Sequence, residues 1–139
     1  MKAVFLFTLT SIIISCSTNP VSERDELLTS IRWTVEPESL LNETSDAKDV
    51  CRFSKDGTYT LDVHDTRILG NWSWTSNNEI YLEEKEIVIS GKAYRFDSSS
   101  NYYIRVIEIS DKVFRTIQRP EGDSWDSGFA KEIKYIPEV

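Results

Sequence analysis

Most of this chain is divided into short segments in which apolar and polar residues alternate, and this pattern constrains the fold more than any other feature. Turn signals separate the segments about every 8–12 residues. After the turn at residues 55–57, for example, Tyr59, Leu61 and Val63 alternate strictly with polar residues. Alternation of this kind is typical of a β-strand with one buried face. The sequence therefore predicts an all-β domain.

Two further hairpins follow the same design. Gly70, Trp72 and Trp74 share one face of a strand that ends at a turn over residues 76–78, and another turn over residues 110–112 separates two apolar segments. Gly91, within the segment IVISGKAYRF, is expected to kink a strand. Residues 38–49 fit either a short helix or a long loop, and a short helical turn could also form near residues 22–28.

About eight or nine strands joined by tight turns imply sequential antiparallel pairing. A meander of that strand number closes naturally into an up-and-down antiparallel barrel, which removes exposed sheet edges. The alternative is an immunoglobulin-like β-sandwich. Its long Greek-key crossovers have little sequence to occupy here, so we expect the barrel of about eight strands.

The N-terminus has the composition of a secretory signal. Lys2 precedes an almost wholly apolar run at residues 3–14, and the small residues Ser15 and Cys16 follow. This run is shorter than the roughly 20 apolar residues of a spanning helix. A buried strand, or a plain signal peptide with a chance cysteine, is the alternative interpretation.

The tetrapeptide Ile13-Ile14-Ser15-Cys16 resembles the lipobox of bacterial lipoproteins. The resemblance implies transfer of a diacylglyceryl group to the Cys16 thiol, cleavage before Cys16 and acylation of the new amine, for example with palmitate. Several acyl chains would give stable anchoring to a membrane. We therefore expect a signal peptide at residues 1–15, a lipidated tether at 16–28, a barrel domain at 29–139, and a location at the bacterial outer membrane, facing the periplasm or the surface.

Composition excludes several classes of function. The net charge of −7 and the lack of a Lys/Arg stripe argue against binding of nucleic acid through its phosphates. Two cysteines, Cys16 and Cys51, exclude a disulfide framework. No cofactor motif is visible, so none is expected.

No residue set indicates an active site or a metal site. The only histidine, His64, lies near Asp62 and Asp65. Alternation directs Asp62 and His64 toward solvent, and two outward ligands do not make a zinc site. Without paired carboxylates, metal-ligand spacing or an activated nucleophile, we expect a non-enzymatic protein.

Aromatic residues are the main candidates for ligand binding. Trp33, Tyr59, Trp72 and Trp74 are predicted on the inner face of the barrel, where they could line a ligand cavity. The alternative is that they fill the interior, because an eight-stranded barrel is just wide enough to be filled by side chains.

Arg105 and Trp125 are two further candidates. Arg105 alternates with apolar residues on both sides of its strand, so the sequence leaves its direction open. Facing inward, it could hold a carboxylate; facing outward, it would be solvated. Trp125, in the loop at residues 119–128, could contact a ligand or a partner at the rim, or fold back and close the mouth.

The segments FSKDGTYT, GNWSW, NEIYL, YYIRVIEISDKVFRTI and EIKYIP, after a tryptophan in the first strand, resemble the lipocalin-like lipoproteins of the Bacteroidota. The similarity covers most of residues 30–136. It implies a small calycin-type barrel that holds a small apolar ligand, without shared catalytic residues. Many such relatives carry a cysteine pair near the first hairpin, but Cys51 lacks a downstream partner.

These observations together predict a lipid-anchored envelope protein whose lipocalin-like barrel binds a small hydrophobic or amphipathic molecule. The alternative is a non-enzymatic accessory protein that docks on another envelope protein through its rim or its acidic face.

Overall fold

The computed structural model describes residues 20–36, 49–96 and 100–139. Cys16, the signal peptide predicted at residues 1–15, and residues 38–48 of the expected helix or loop lie outside these ranges. The helix α1 spans Pro20–Ser30, and the strands are β1 (Trp33–Val35), β2 (Val50–Phe53), β3 (Thr58–Val63), β4 (Thr66–Ser76), β5 (Glu79–Ile89), β6 (Lys92–Arg95), β7 (Asn101–Ile109), β8 (Phe114–Pro120) and β9 (Lys131–Pro137).

The strands form a closed antiparallel barrel of eight strands, and β6 is an additional ninth strand. Pairing runs from β1 to β5 in chain order, then to β7, β8 and β9, and the seam between β9 and β1 closes the ring. β6 pairs only with the end of β5 that extends beyond β7. This topology confirms the predicted barrel and excludes the sandwich.

The predicted turns at residues 55–57, 76–78 and 110–112 all connect paired strands. Gly57 has a φ of 84°, the positive value that its position in the turn requires. The expectation of a kink at Gly91 is wrong. Ser90 and Gly91, with φ values of 48° and 80°, form a two-residue hairpin connection between β5 and β6, since such turns require positive φ at both positions.

One half of the barrel interior is filled by a cluster of aromatic rings. Phe53 packs between its neighbours, with ring centroids 5.6 Å from Trp72 and 6.1 Å from Phe114. The Phe114 ring in turn lies 5.5 Å from the ring of Trp33. All four side chains are buried. Burial of so much aromatic surface is the main stabilising contribution in this half of the barrel.

The helix α1 closes the end of the barrel nearest this cluster, which we call the helix end. Leu28 of α1 is 0% exposed, and the indole nitrogen of Trp33 donates a hydrogen bond to the Leu28 carbonyl. That bond satisfies a carbonyl in the last turn of the helix, where no intrahelical partner is available. Residues 20–28 of the stretch expected to be a tether thus belong to a helix packed on the barrel.

Contacts with two turns hold α1 at this end. Glu26 forms an ion pair with Lys55 in the β2–β3 turn, and Arg24 donates a hydrogen bond to the carbonyl of Asn77 in the β4–β5 turn.

No helix in the described ranges is long and apolar enough to cross a membrane.

Candidate ligand-binding cavity

The half of the barrel farther from α1 contains a cavity of about 290 Å³. Strand β2 shows this arrangement. Asp49, in the cavity wall, precedes β2, whereas Lys55, which contacts α1, follows it, so the cavity and the helix lie at opposite ends of the strand. We call this the cavity end. The lining residues come from β1, β3, β5, β7, β8 and β9 and from the residue before β2: Val35, Asp49, Tyr59, Leu61, Leu82, Glu84, Tyr102, Gln118, Ile133 and Tyr135.

A chain of hydrogen bonds fixes the polar side of the cavity wall. The side-chain amide of Gln118 donates to the hydroxyl of Tyr135 over 2.6 Å and to the hydroxyl of Thr116 over 3.2 Å. The Thr116 hydroxyl donates to the Ile133 carbonyl. Both amide hydrogens of Gln118 are therefore used, and its amide oxygen is the polar atom left for a ligand.

Glu84 places a carboxyl group on the inner wall. It continues the inward face of β5 formed by Ile80 and Leu82, since alternate residues of a strand share a face. Burial raises the pKa of Glu84 from 4.5 to about 7, because desolvation disfavours the charged form. The pKa of Tyr102 is raised by desolvation and by the nearby Glu84. At neutral pH, this half-buried carboxyl can therefore be either ionised or protonated.

A β-bulge follows Glu84 directly. Gly70 of β4 pairs with Glu84, but the preceding Leu69 pairs with Glu86, so β5 carries one extra residue. A Cβ atom on Gly70 would lie 2.3 Å from the backbone oxygen of Glu83. Only glycine permits this close approach of the two backbones at the bulge.

Glu84 also lines a second recess, a surface cleft of about 480 Å³. The cleft lies where β5 passes from its pairing with β7 to its pairing with β6, and Arg95 and Phe96 form part of its wall. Glu84 thus separates the interior cavity from a cleft on the outside of the barrel.

Two other lining residues are tyrosines with strongly perturbed hydroxyls. Desolvation by burial raises the pKa of both Tyr59 and Tyr135. Both therefore stay protonated at neutral pH, and their rings provide apolar and π surface around the cavity.

The structure places one of the six predicted ligand-binding residues, Tyr59, in the cavity wall. Trp33 and Trp72 belong to the aromatic cluster of the filled half. Trp74 packs against Trp72, and its indole nitrogen donates a hydrogen bond to Asp25 of α1. These three tryptophans occupy strand positions near the end of the barrel that α1 closes, and none of them lines the cavity.

Arg105 and Trp125 meet on the outer wall of the barrel. Ile104 and Val106 occupy the inner face of β7, so Arg105 points outward, where its guanidinium lies 4.1 Å from the centre of the Trp125 ring. The Arg119 guanidinium lies 4.6 Å from the centre of the Trp125 ring and 4.4 Å from that of the Tyr103 ring. We call these four side chains the outer stack. It attaches the loop after β8 to the barrel wall, outside the cavity.

Sequence reasoning missed Glu84 and Gln118, two of the polar groups that give the cavity its chemistry. A signal for each was present in the alternation: Glu84 follows Ile80 and Leu82 on an apolar face, and Gln118 follows Phe114 and Thr116. A charged or amide residue on a strand's apolar face is a candidate for an internal site.

His64 lies in the exposed turn between β3 and β4, with a φ of 54°. Asp62 forms an ion pair with Arg67. Within the described ranges, no group of three or more His, Cys, Asp or Glu residues is placed to hold a metal ion.

Cys51 is a buried free thiol whose pKa is raised by desolvation.

Comparisons with protein-family models, curated proteins and solved structures give no significant match to this chain.

Proposed function

We propose that this protein binds a small amphipathic molecule in the cavity of its barrel, as a lipocalin-like, non-enzymatic binding protein. The observation that carries the proposal is the unequal filling of the two halves. An eight-stranded barrel is just wide enough for side chains to fill it or to hold one small ligand. Here aromatic rings fill the helix end, whereas the cavity end retains about 290 Å³.

The size and lining of the cavity indicate the kind of ligand. Ligand pockets usually measure about 300–1,000 Å³, so this cavity suits a small molecule. Leu61, Leu82 and Ile133 supply apolar surface, while Glu84 and Gln118 supply polar groups. A few polar groups in a mainly apolar wall orient a ligand that has an apolar body and one polar end.

The proposal includes anchoring to the bacterial outer membrane through a lipid on Cys16. Its support is the lipobox-like sequence and the position of α1. The four residues 16–19, which precede Pro20, span at most about 14 Å when extended, and α1 packs on the helix end. A lipid on Cys16 would therefore hold the helix end near the bilayer and direct the cavity end away from it.

A second candidate function, docking on an envelope protein, is favoured by one observation. Phe129 is 68% exposed and borders a shallow recess of about 240 Å³ beside the cavity end, together with Pro120 and Lys131. An exposed aromatic residue at a rim is typical of a protein-binding surface.

Native mass spectrometry of the full chain, purified from a bacterial envelope, tests ligand binding. We expect a reproducible small mass bound to the protein. Ile133→Trp should remove it by filling the cavity, while the matched control Ile107→Trp, at a position 44% exposed on the outer wall, should retain it. The proposal fails if no small mass is bound, or if both variants retain it equally.

Metabolic labelling with palmitate tests the lipid anchor separately. We expect Cys16→Ser to lose the label and membrane retention, and Cys51→Ser, the control at the buried thiol, to keep both. Continued acylation of the Cys16→Ser protein would contradict the anchor.

A further inference from the structure

We infer that the cavity selects an organic cation, a molecule with an ammonium group on a small apolar or aromatic body, and that Glu84 holds the ammonium. This inference rests on the proposed function, since it names the ligand class of the same cavity. It is carried by the charge of the lining, by the lack of an ion-pair partner for Glu84 among the described residues, and by the acceptors in the same wall.

The charge of the lining has one sign. Two of the described lining residues, Asp49 and Glu84, carry carboxyl groups, and none is a lysine, arginine or histidine. An anionic ligand would meet the Glu84 carboxyl, which forms no ion pair with a described lysine or arginine. A neutral apolar ligand would bury the Glu84 carboxyl further without giving it a partner, which is unfavourable.

No described cation neutralises Glu84. The nearest lysine in sequence, Lys85, forms an ion pair with Glu83 instead, with 3.2 Å between Nζ and Oε2. Arg95, which borders the cleft on the other side of Glu84, forms no ion pair with it among the described residues. A bound ammonium would therefore supply the charge partner that this part of the chain does not provide.

Uncharged groups in the cavity wall also favour a cationic ligand. The amide oxygen of Gln118 is an acceptor, because its amide hydrogens bond to Thr116 and Tyr135. The rings of Tyr59, Tyr102 and Tyr135 line the cavity, and the negative faces of aromatic rings attract ammonium groups. A carboxyl group in a wall that also contains tyrosine rings combines a charge partner with cation–π surface.

Ligand binding should then compete with protonation of Glu84. Burial raises the pKa of this carboxyl to about 7, and an ammonium beside it would favour the ionised form. The titratable and charged groups around it are Asp49, Tyr59, Tyr102 and Tyr135 on the cavity side and Glu83, Lys85, Glu86 and Arg95 on the cleft side. Below pH 7 the proton should displace the cation, with an affinity loss approaching about tenfold per pH unit.

Three compounds of matched shape test the inference: 3-phenylpropylamine, 3-phenylpropan-1-ol and 3-phenylpropionate. Their affinities for the full chain are measured by isothermal titration calorimetry at pH 8. We expect the amine to bind at least about tenfold more tightly than the alcohol, because charge-assisted hydrogen bonds are stronger than hydrogen bonds between neutral groups. The carboxylate should bind most weakly.

Two variants test whether Glu84 is responsible for the preference for the amine. Glu84→Gln should reduce the affinity for the amine to about that for the alcohol, without weakening binding of the alcohol. Glu83→Gln, the matched control on the cleft side, should retain the preference for the amine. In the unmodified chain the amine affinity should fall between pH 8 and pH 5 while the alcohol affinity does not fall, a test that needs no variant.

The outcomes separate the inference from the proposed function. Equal or tighter binding of the alcohol or the carboxylate would overturn the cation preference and leave small-molecule binding intact. An amine preference that survives Glu84→Gln would overturn the assignment to Glu84. Failure of all three compounds to bind would overturn the inference and count against the proposed function as well.

Discussion

The indole nitrogen of Trp74 lies 3.2 Å from Oδ1 of Asp25 and donates a hydrogen bond to it, so that a strand of the barrel is joined directly to the helix across its end. The same helix buries Leu28 completely and receives a hydrogen bond from Trp33. α1 is therefore part of the core and more than a connection between the barrel and the residues before it.

Leu28→Ala should destabilise the protein by about 2–5 kcal/mol, because truncation of a fully buried leucine removes apolar contacts and leaves a cavity. Urea denaturation followed by tryptophan fluorescence measures the free energy of unfolding. Ser22→Ala, at an exposed position of the same helix, is the control and should change it by less than about 0.5 kcal/mol. Equal effects of the two variants would contradict packing of α1 on the barrel.

Glu84→Gln should stabilise the protein at pH 8 and have little effect at pH 4. The folded state raises the pKa of Glu84 from 4.5 to about 7, so it favours the protonated form. As pH rises through this interval the folded state pays an increasing cost for ionisation, and above pH 7 the cost is fully present. Partial exposure to solvent limits it to about 1–2 kcal/mol.

Urea denaturation at several pH values between 4 and 8 checks this pH dependence. Glu83→Gln serves as the control, since Glu83 lies on the cleft side and is paired with Lys85. A gain in stability from Glu84→Gln that is the same at pH 4 and pH 8 would show that the carboxyl group is not desolvated in the folded protein.

Gly70→Ala should destabilise the protein by about 1–3 kcal/mol, since the new Cβ would meet the backbone oxygen of Glu83 at 2.3 Å and the two strands would have to separate. The matched control is Gly128→Ala, where no atom lies within 4 Å of the added Cβ. Thermal unfolding by circular dichroism compares the two. A Gly70→Ala protein as stable as the control would argue against the close approach at the bulge.

Trp125→Ala should release the loop after β8 without affecting the cavity. Each cation–π contact of the outer stack contributes about 0.5–1 kcal/mol, so we expect a loss near 1–2 kcal/mol and faster hydrogen exchange in residues 121–130. Phe129→Ala, in the same loop but 68% exposed, is the stability control. If Trp125→Ala weakens binding of a cavity ligand while the barrel stays folded, Trp125 contacts the ligand as the sequence suggested.

The barrel could be predicted because its signals are local: strict alternation in β3, the glycine at position 57 and short connections between strands. The direction of Arg105 could not, since Ile104 and Val106 on one face are as apolar as Ile107 on the other. The position of the cavity along the barrel axis could not be predicted from the sequence either. It depends on which inward positions lie near α1, and alternation shows only that a residue faces inward, not how far along the barrel axis it lies.

The division of the barrel into a filled half and a hollow half separates most of the residues that stabilise the fold from those proposed to recognise a ligand. Tyr59 and Tyr135, which line the cavity and pack on Phe53 and Phe114, belong to both groups. The aromatic cluster around Phe53 can tolerate little change, because its rings are packed against one another. Residues such as Leu61 and Ile133 face open space and can vary in size and polarity at lower cost. The same scaffold could therefore diverge toward new ligands through substitutions at one end, while the other end stays constant.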